Sequence, residues 1–187
     1  MSNKIKRVFV EKRPEFAIEA QELLADLKQN LGLNNIKSMR ILNRYDVLGL
    51  TDEEFLEASQ HVLSEPPVDM LFEEELILDK NAKSFVIELL PGQYDQREDF
   101  AEQCVQLITQ KEKPMIANAK VYIFEGEISD ADMERIKKYC INPIEAREAS
   151  WEKPATLQTT CEEPARVAVL KDFNNLTRSE MESFRID

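Results

Sequence analysis

Val8-Phe9-Val10-Glu11, followed by Pro14, returns 77 positions later as Phe85-Val86-Ile87-Glu88, followed by Pro91. Working outward from the first copy, residues 5–11 predict a strand with Val8 and Val10 on one face and Phe9 on the other, and Pro14 ends it. Phe16, Ala20, Leu23, Leu24, Leu27 and Leu31 then recur at helical spacing as one apolar stripe, with Gly32 placed to cap the end. A second strand is expected over about 36–47. Thr51 and Glu54 form a capping box, in which each side chain takes a backbone N–H left free by the first turn. The helix it opens would face inward through Phe55, Ala58, Val62 and Leu63, and Pro66-Pro67 stops it. Residues 68–78 read as a third strand with an acidic outer edge at Glu73, Glu74 and Glu75.

The same order then starts again. Ala20, Leu23, Leu24 and Leu27 are matched by Ala101, Cys104, Val105 and Ile108 at a displacement of 81, which places four extra residues in the loop Pro91-Gly92-Gln93-Tyr94-Asp95-Gln96-Arg97. A strand over 119–125 answers the second strand, and Ser129 with Asp132 repeats the helix start of Thr51 at a displacement of 78. Met133, Ile136 and Cys140 supply that helix's inner face, and Asn142-Pro143 stops it. The expected fold class is therefore α+β. Two duplicated β-α-β-α-β halves, about 1–80 and 81–147, would form a pseudo-dimer of mainly antiparallel sheets with helices packed on one face, ferredoxin-like in character. A half that cannot close its own sheet buries its apolar face against its copy, at ~1.5–3 kcal/mol per stripe residue.

Past Ala149 the sequence turns polar and aperiodic through Pro154 and Pro164, as a connection does, with one possible strand over 167–170. Thr177 and Glu180 spell another capping box only a few residues before Asp187, which reads as the start of a truncated linker region spanning 148–187.

Composition narrows the classes. Hydrophobic residues at 43% and charged residues at 32% are globular proportions, sufficient for one domain of ordinary size in 187 residues. A net charge of -12 argues against nucleic acid, whose phosphates demand clustered Lys and Arg. The early basic residues Lys4, Lys6, Arg7, Lys12 and Arg13 read as the solvated side of one strand. Cys104, Cys140 and Cys161 lie far apart without metal-ligand spacing, and their odd number together with no signal peptide points to a reducing, cytoplasmic setting. No apolar run approaches the ~18 residues of a membrane span.

No catalytic constellation can be assembled. His61, the only histidine, has no nucleophile or second ligand beside it, and neither GxxxxGK[ST] nor GxGxxG occurs. The carboxylate clusters (Asp52, Glu53 and Glu54; Asp130 and Asp132) sit at helix starts, where each favours the macrodipole by ~0.3–1 kcal/mol. Catalytic, cofactor-binding and metal residues are accordingly expected to be none. The 91–97 loop stands out instead, joining a Pro-Gly turn to amide, phenol, carboxylate and guanidinium groups in seven residues. Gln93, Asp95, Gln96 and Arg97 are the interface candidates.

Four stretches carry a likeness to a known family: Asn43-Arg44-Tyr45-Asp46-Val47, Ser64-Glu65-Pro66-Pro67-Val68-Asp69, Leu90-Pro91-Gly92-Gln93-Tyr94-Asp95-Gln96-Arg97 and Ile141-Asn142-Pro143-Ile144-Glu145-Ala146-Arg147-Glu148-Ala149. Together they resemble the start of the long, single-chain phosphoribosylformylglycinamidine synthase, and the likeness runs from Lys6 onward. It implies that about the first 147 residues are an N-terminal domain similar to a dimer of the small S subunit of the split enzymes. The family's full-length enzyme is a ligase of purine synthesis that uses glutamine, ATP and magnesium. Its triad and its ATP and magnesium ligands lie downstream, so the fragment alone is expected to be inactive. Its partners would be the synthetase and glutaminase domains of the same chain, between which ammonia passes. The alternative is a free-standing ferredoxin-like module that binds a small molecule or another protein. A reading frame continuing past Asp187 into ATP-site and glutaminase motifs would separate the two.

Overall fold

Val8 and Val10 turn to one side of the first strand and Phe9 to the other, as alternation requires. The computed structural model describes residues 4–158 and 173–183. Six strands, β1 (Lys6–Lys12), β2 (Ile36–Leu48), β3 (Asp69–Glu73), β4 (Lys83–Leu89), β5 (Met115–Gly126) and β6 (Ala146–Ala149), form one antiparallel sheet in the order β3-β1-β2-β5-β4-β6. Five helices accompany it among the described residues: α1 (Ile18–Leu31), α2 (Asp52–His61), α3 (Gln96–Thr109), α4 (Asp130–Cys140) and α5 (Arg178–Ser183). The protein is thus α+β with a six-stranded antiparallel sheet.

Helices α1 to α4 cover one face. Val8 lies opposite Tyr45, Tyr45 opposite Asn118, and Tyr122 opposite Phe85, so these residues share a side of the sheet. One core cluster there joins Val8, Val10, Tyr45 and Val47 to Phe55 and Ala58 of α2 and to Ala101 and Val105 of α3. The other joins Leu27 of α1 to Phe85, Tyr122 and Phe124 of the sheet and to Met133 and Ile136 of α4. Each cluster therefore draws on residues from before and after position 80, and neither stretch encloses its own core. On the opposite face, Phe9, Leu42, Val86 and Val121 are covered by Leu76, Leu78, Ala82 and Trp151.

Local chemistry sets the element ends. Thr51 and Glu54 make the reciprocal capping box expected of them, and Ser129 accepts the Asp132 N–H at 3.1 Å. Gly32 ends α1 in the left-handed conformation, φ 70°. At Gly126, φ is 135° and a Cβ would lie 2.2 Å from the Asn35 carbonyl, so only glycine fits where β5 meets the start of β2.

Several expectations need correction. The third strand ends at Glu73 rather than continuing to 78, because Glu74 takes φ 61° and breaks the extended backbone; the chain then crosses the helix-free face. Phe16 lies in a 3₁₀ turn, 49% exposed, outside the stripe of α1. The helices α1 and α3 are both 14 residues long and start 78 positions apart, at Ile18 and Gln96, against the displacement of 81 expected from their stripes. At 78, Leu27 aligns with Val105, and both are fully buried, while Leu24 is half-buried and Ile108 is exposed. Finally, Lys6 and Arg7 are not solvated. They are buried and ion-paired, Lys6 Nζ to Asp52 at 2.6 Å and Arg7 to Asp46, since paired charges can be buried where lone ones cannot. The possible strand at 167–170 and Cys161 lie outside the described residues.

Candidate functional site

The 91–97 loop is built by short-range hydrogen bonds. Leu90 N–H donates to the Glu145 carbonyl at 2.9 Å and Gln93 N–H to the Leu90 carbonyl at 3.0 Å, while Gly92 supplies the positive φ of 90° that the turn between them needs. Asp95 is the N-cap of α3. Its Oδ1 accepts the N–H groups of Arg97 at 2.7 Å and Glu98 at 3.2 Å, and its Oδ2 accepts from Asn118 Nδ2 on β5 at 3.2 Å. The aspartate thereby fixes the helix start to the central strand. Tyr94 donates its hydroxyl to Asp99 at 2.9 Å.

Arg97 leaves the first turn of α3 toward β2, and its Nη1 donates to the Tyr45 hydroxyl at 3.2 Å. Burial pushes the Tyr45 phenol up, so it stays neutral and serves as the acceptor. On β5, Lys120 pairs with Glu19 of α1 at 2.6 Å. These groups border a cleft of about 510 Å³ whose apolar walls are Ile87 and Leu89 of β4 and Phe100 of α3. Asp95, Gln96 and Arg97 all line it. Gln93 does not; it lines a neighbouring hollow of about 310 Å³ together with Glu98.

Three contributors were missed in the sequence: Tyr45, Asn118 and Lys120. A signal existed for two of them. Along the helix-facing side of β5 the order is Ile116, Asn118, Lys120, Tyr122 and Phe124, and two polar residues interrupt an otherwise apolar alternation. They mark where the two helix-side cores part and the sheet opens to the cleft.

Glu98 lies beneath this site, its Oε1 accepting the Asn118 N–H at 2.6 Å. Burial raises its carboxyl to about 7, with the nearby Asp95, Glu102 and Glu88 adding to the rise and the Asn118 hydrogen bond opposing it. Because the folded value lies above the unfolded one near 4.5, the folded state holds the extra proton. That contribution is complete below about pH 4.5 and is lost as pH rises through about 7. Glu98→Gln keeps an acceptor without the titration. It is expected to be more stable than the parent at pH 8 by ~1–3 kcal/mol and to show a flatter stability profile between pH 5 and 8. Urea titrations across that range measure it, and parallel profiles for the two proteins would refute it.

Cys104 is half-buried, and burial pushes the Cys140 thiol up to about 11. Among the described residues no group of three or more His, Cys, Asp and Glu side chains is placed to hold a metal ion, and no helix is long and apolar enough to cross a membrane. Comparison with protein-family models and with curated proteins finds no match.

Proposed function

We propose that the chain is the N-terminal, S-subunit-like domain of a long single-chain phosphoribosylformylglycinamidine synthase. It consists of two equivalent halves joined as a covalent pseudo-dimer of ferredoxin-like character. One observation carries the reading: the displacement of 77 governs strand pairing as well as sequence. The pair Val8 and Tyr45 reappears as Phe85 and Tyr122, and the pair Glu11 and Met70 as Glu88 and Arg147. Gly49, just after β2, and Gly126, the last residue of β5, each take positive φ at the same displacement. Strands β2 and β5, equivalent in this scheme, pair at the centre and join the halves into one sheet. A two-fold dimer of β-α-β-α-β subunits would place its central strands in that way.

In this role the domain docks the glutaminase and synthetase parts of the same chain and helps keep ammonia out of bulk water. Catalytic, ATP and magnesium ligands come from elsewhere, and the fragment alone turns over neither glutamine nor ATP. Tethering raises the effective concentration of such a piece to the millimolar range. The 91–97 loop is the docking element, with Gln93 and Gln96 exposed at its rim and Arg97 free to take a carboxylate on its remaining nitrogens.

Replacing Arg97 with Ala in the full-length enzyme is expected to lower glutamine-dependent activity several-fold while changing the fragment's stability by no more than ~0.5 kcal/mol. Ammonia supplied directly should restore the rate. Equal loss with both nitrogen sources would move the loop's role to the nucleotide substrate, and no loss with either would exclude docking through this loop.

A further inference from the structure

We infer that the cleft at the start of α3 binds a small organic anion, a carboxylate or phosphate carried on an apolar, ring-sized body. The comparison of positions below rests on the two-half reading; the binding itself does not depend on the docking role.

A second cleft, of about 340 Å³, lies at the start of α1; seven of its lining residues have a counterpart in the first, while Ala20, Leu63, Glu65 and Asp69 do not and Arg97 borders both clefts. At a displacement of 77, Lys12 corresponds to Leu89 and Asn43 to Lys120; at 78, Phe16 corresponds to Tyr94 and Glu19 to Arg97. The two clefts have diverged in opposite senses. Around α1 the lining holds Glu19, Glu65 and Asp69, and Lys12 is neutralised by Asp69 at 2.9 Å. Around α3 the lysine has become an apolar wall and the glutamate an arginine. Glu22, one helical turn beyond Glu19, corresponds to Phe100, which is 65% exposed at the cleft mouth.

Such a change exchanges the Glu19 and Glu22 carboxylates for a cation and an apolar ring at one place in a chain of net charge -12, with Glu88 and Asp95 still bordering the α3 cleft. Solvation alone gives no reason for it. The Arg97 guanidinium spends one nitrogen on the neutral Tyr45 hydroxyl, and its planar fork can still meet two oxygens of a carboxylate or phosphate. Tyr94, Phe100, Ile87 and Leu89 offer the apolar contact that a bare ion would not use. The volume of about 510 Å³ lies in the ordinary range for small-ligand sites. Lys120 adds positive potential, tempered by its pairing with Glu19.

The experiment titrates this chain, labelled with nitrogen-15, with phenyl phosphate, phenylacetate, inorganic phosphate and benzyl alcohol in separate NMR series. Saturable shifts of the Tyr94, Arg97, Phe100 and Lys120 amides are expected with at least one of the two aromatic anions. That anion should bind at least about tenfold more tightly than inorganic phosphate or benzyl alcohol. Whichever anion wins separates phosphate esters from carboxylates. Arg97→Gln and Phe100→Glu are each expected to weaken binding about tenfold or more, with amide spectra elsewhere unchanged to show that the fold is kept. Absence of saturation with both anions, undiminished binding by Arg97→Gln, or equal binding of benzyl alcohol or of inorganic phosphate would overturn the inference. Loss of glutamine-dependent activity in the Arg97→Ala full-length enzyme, with no anion bound by this chain, would leave the docking role standing and this one refuted.

Discussion

Asp46→Asn is expected to destabilise the protein by ~3–5 kcal/mol, the cost of leaving buried charge without its partner. Asp46 is 2% exposed and meets Arg7, 4% exposed, through a two-pronged contact, Nε to Oδ1 at 2.6 Å and Nη2 to Oδ2 at 2.8 Å. The same carboxylate lies 3.5 Å from Arg44 Nε, so one anion serves two buried cations. The remaining N–H groups turn to the chain after β6. Arg7 Nη1 donates to the Trp151 carbonyl and Arg44 Nη1 to the Ser150 carbonyl, each at 2.6 Å. Burial lowers the Arg44 pKa, the direction expected of a cation short of counter-charge. Asp46→Asn leaves two guanidinium groups with one neutral amide oxygen and backbone dipoles in place of a counter-charge, and should cost more than Arg7→Met, which leaves Asp46 still facing Arg44. Replacing Arg7, Arg44 and Asp46 together with apolar residues of similar volume should recover most of the loss. Urea unfolding of the three variants measures this. An Asp46→Asn protein within ~1 kcal/mol of the parent would show that the cluster carries little net energy.

Leu27→Ala is expected to cost ~2–5 kcal/mol, and to loosen elements on both sides of position 80 at once. Leu27 is fully buried, and its core cluster joins Leu33, Ile36 and Met39 to Phe85, Phe124 and Ile136 from beyond position 80. A cavity there weakens β4, β5 and α4 as directly as it weakens α1. Hydrogen exchange of the variant should therefore show equal losses of protection in β1 and β5, with a single unfolding transition. If protection falls in residues before 80 alone, the stretches before and after that position fold as separable units and the shared cores contribute little to their union.

Strand alternation, proline stops and capping boxes were legible in the sequence because each is a local signal a few residues long. Thr51 with Glu54 and Ser129 with Asp132 needed no distant information. The register between α1 and α3 was not legible. An apolar stripe repeats every three to four residues, so sliding Ala20 onto Ala101 superposes the stripes nearly as well as a shift of 78. The burial of Leu27 and Val105, and the left-handed caps at Gly32 and Gln110, favour the shift of 78. Burial of Arg7 was hidden for another reason: its counter-charge lies 39 positions away on a neighbouring strand. The site was half legible. Asp95 and Arg97 belong to a conspicuous loop, whereas Tyr45 reaches Arg97 across 52 positions and only the folded sheet brings it there.

The central pairing of β2 with β5 also constrains how the molecule comes to be folded. Its register runs from Leu48 opposite Met115 out to Ile36 opposite Gly126, so its inner end closes a much shorter chain loop than its outer end. Contacts this distant in sequence slow folding, because loop-closure entropy is lost before pairing compensates it. Until β5 arrives, β2 is a 13-residue edge with Leu42 and Val47 uncovered. The β5 of another molecule can occupy that edge with the same register, exchanging the β4–β6 portion between chains. Dilution favours closure within one chain, so the yield of monomer on refolding should fall as protein concentration rises.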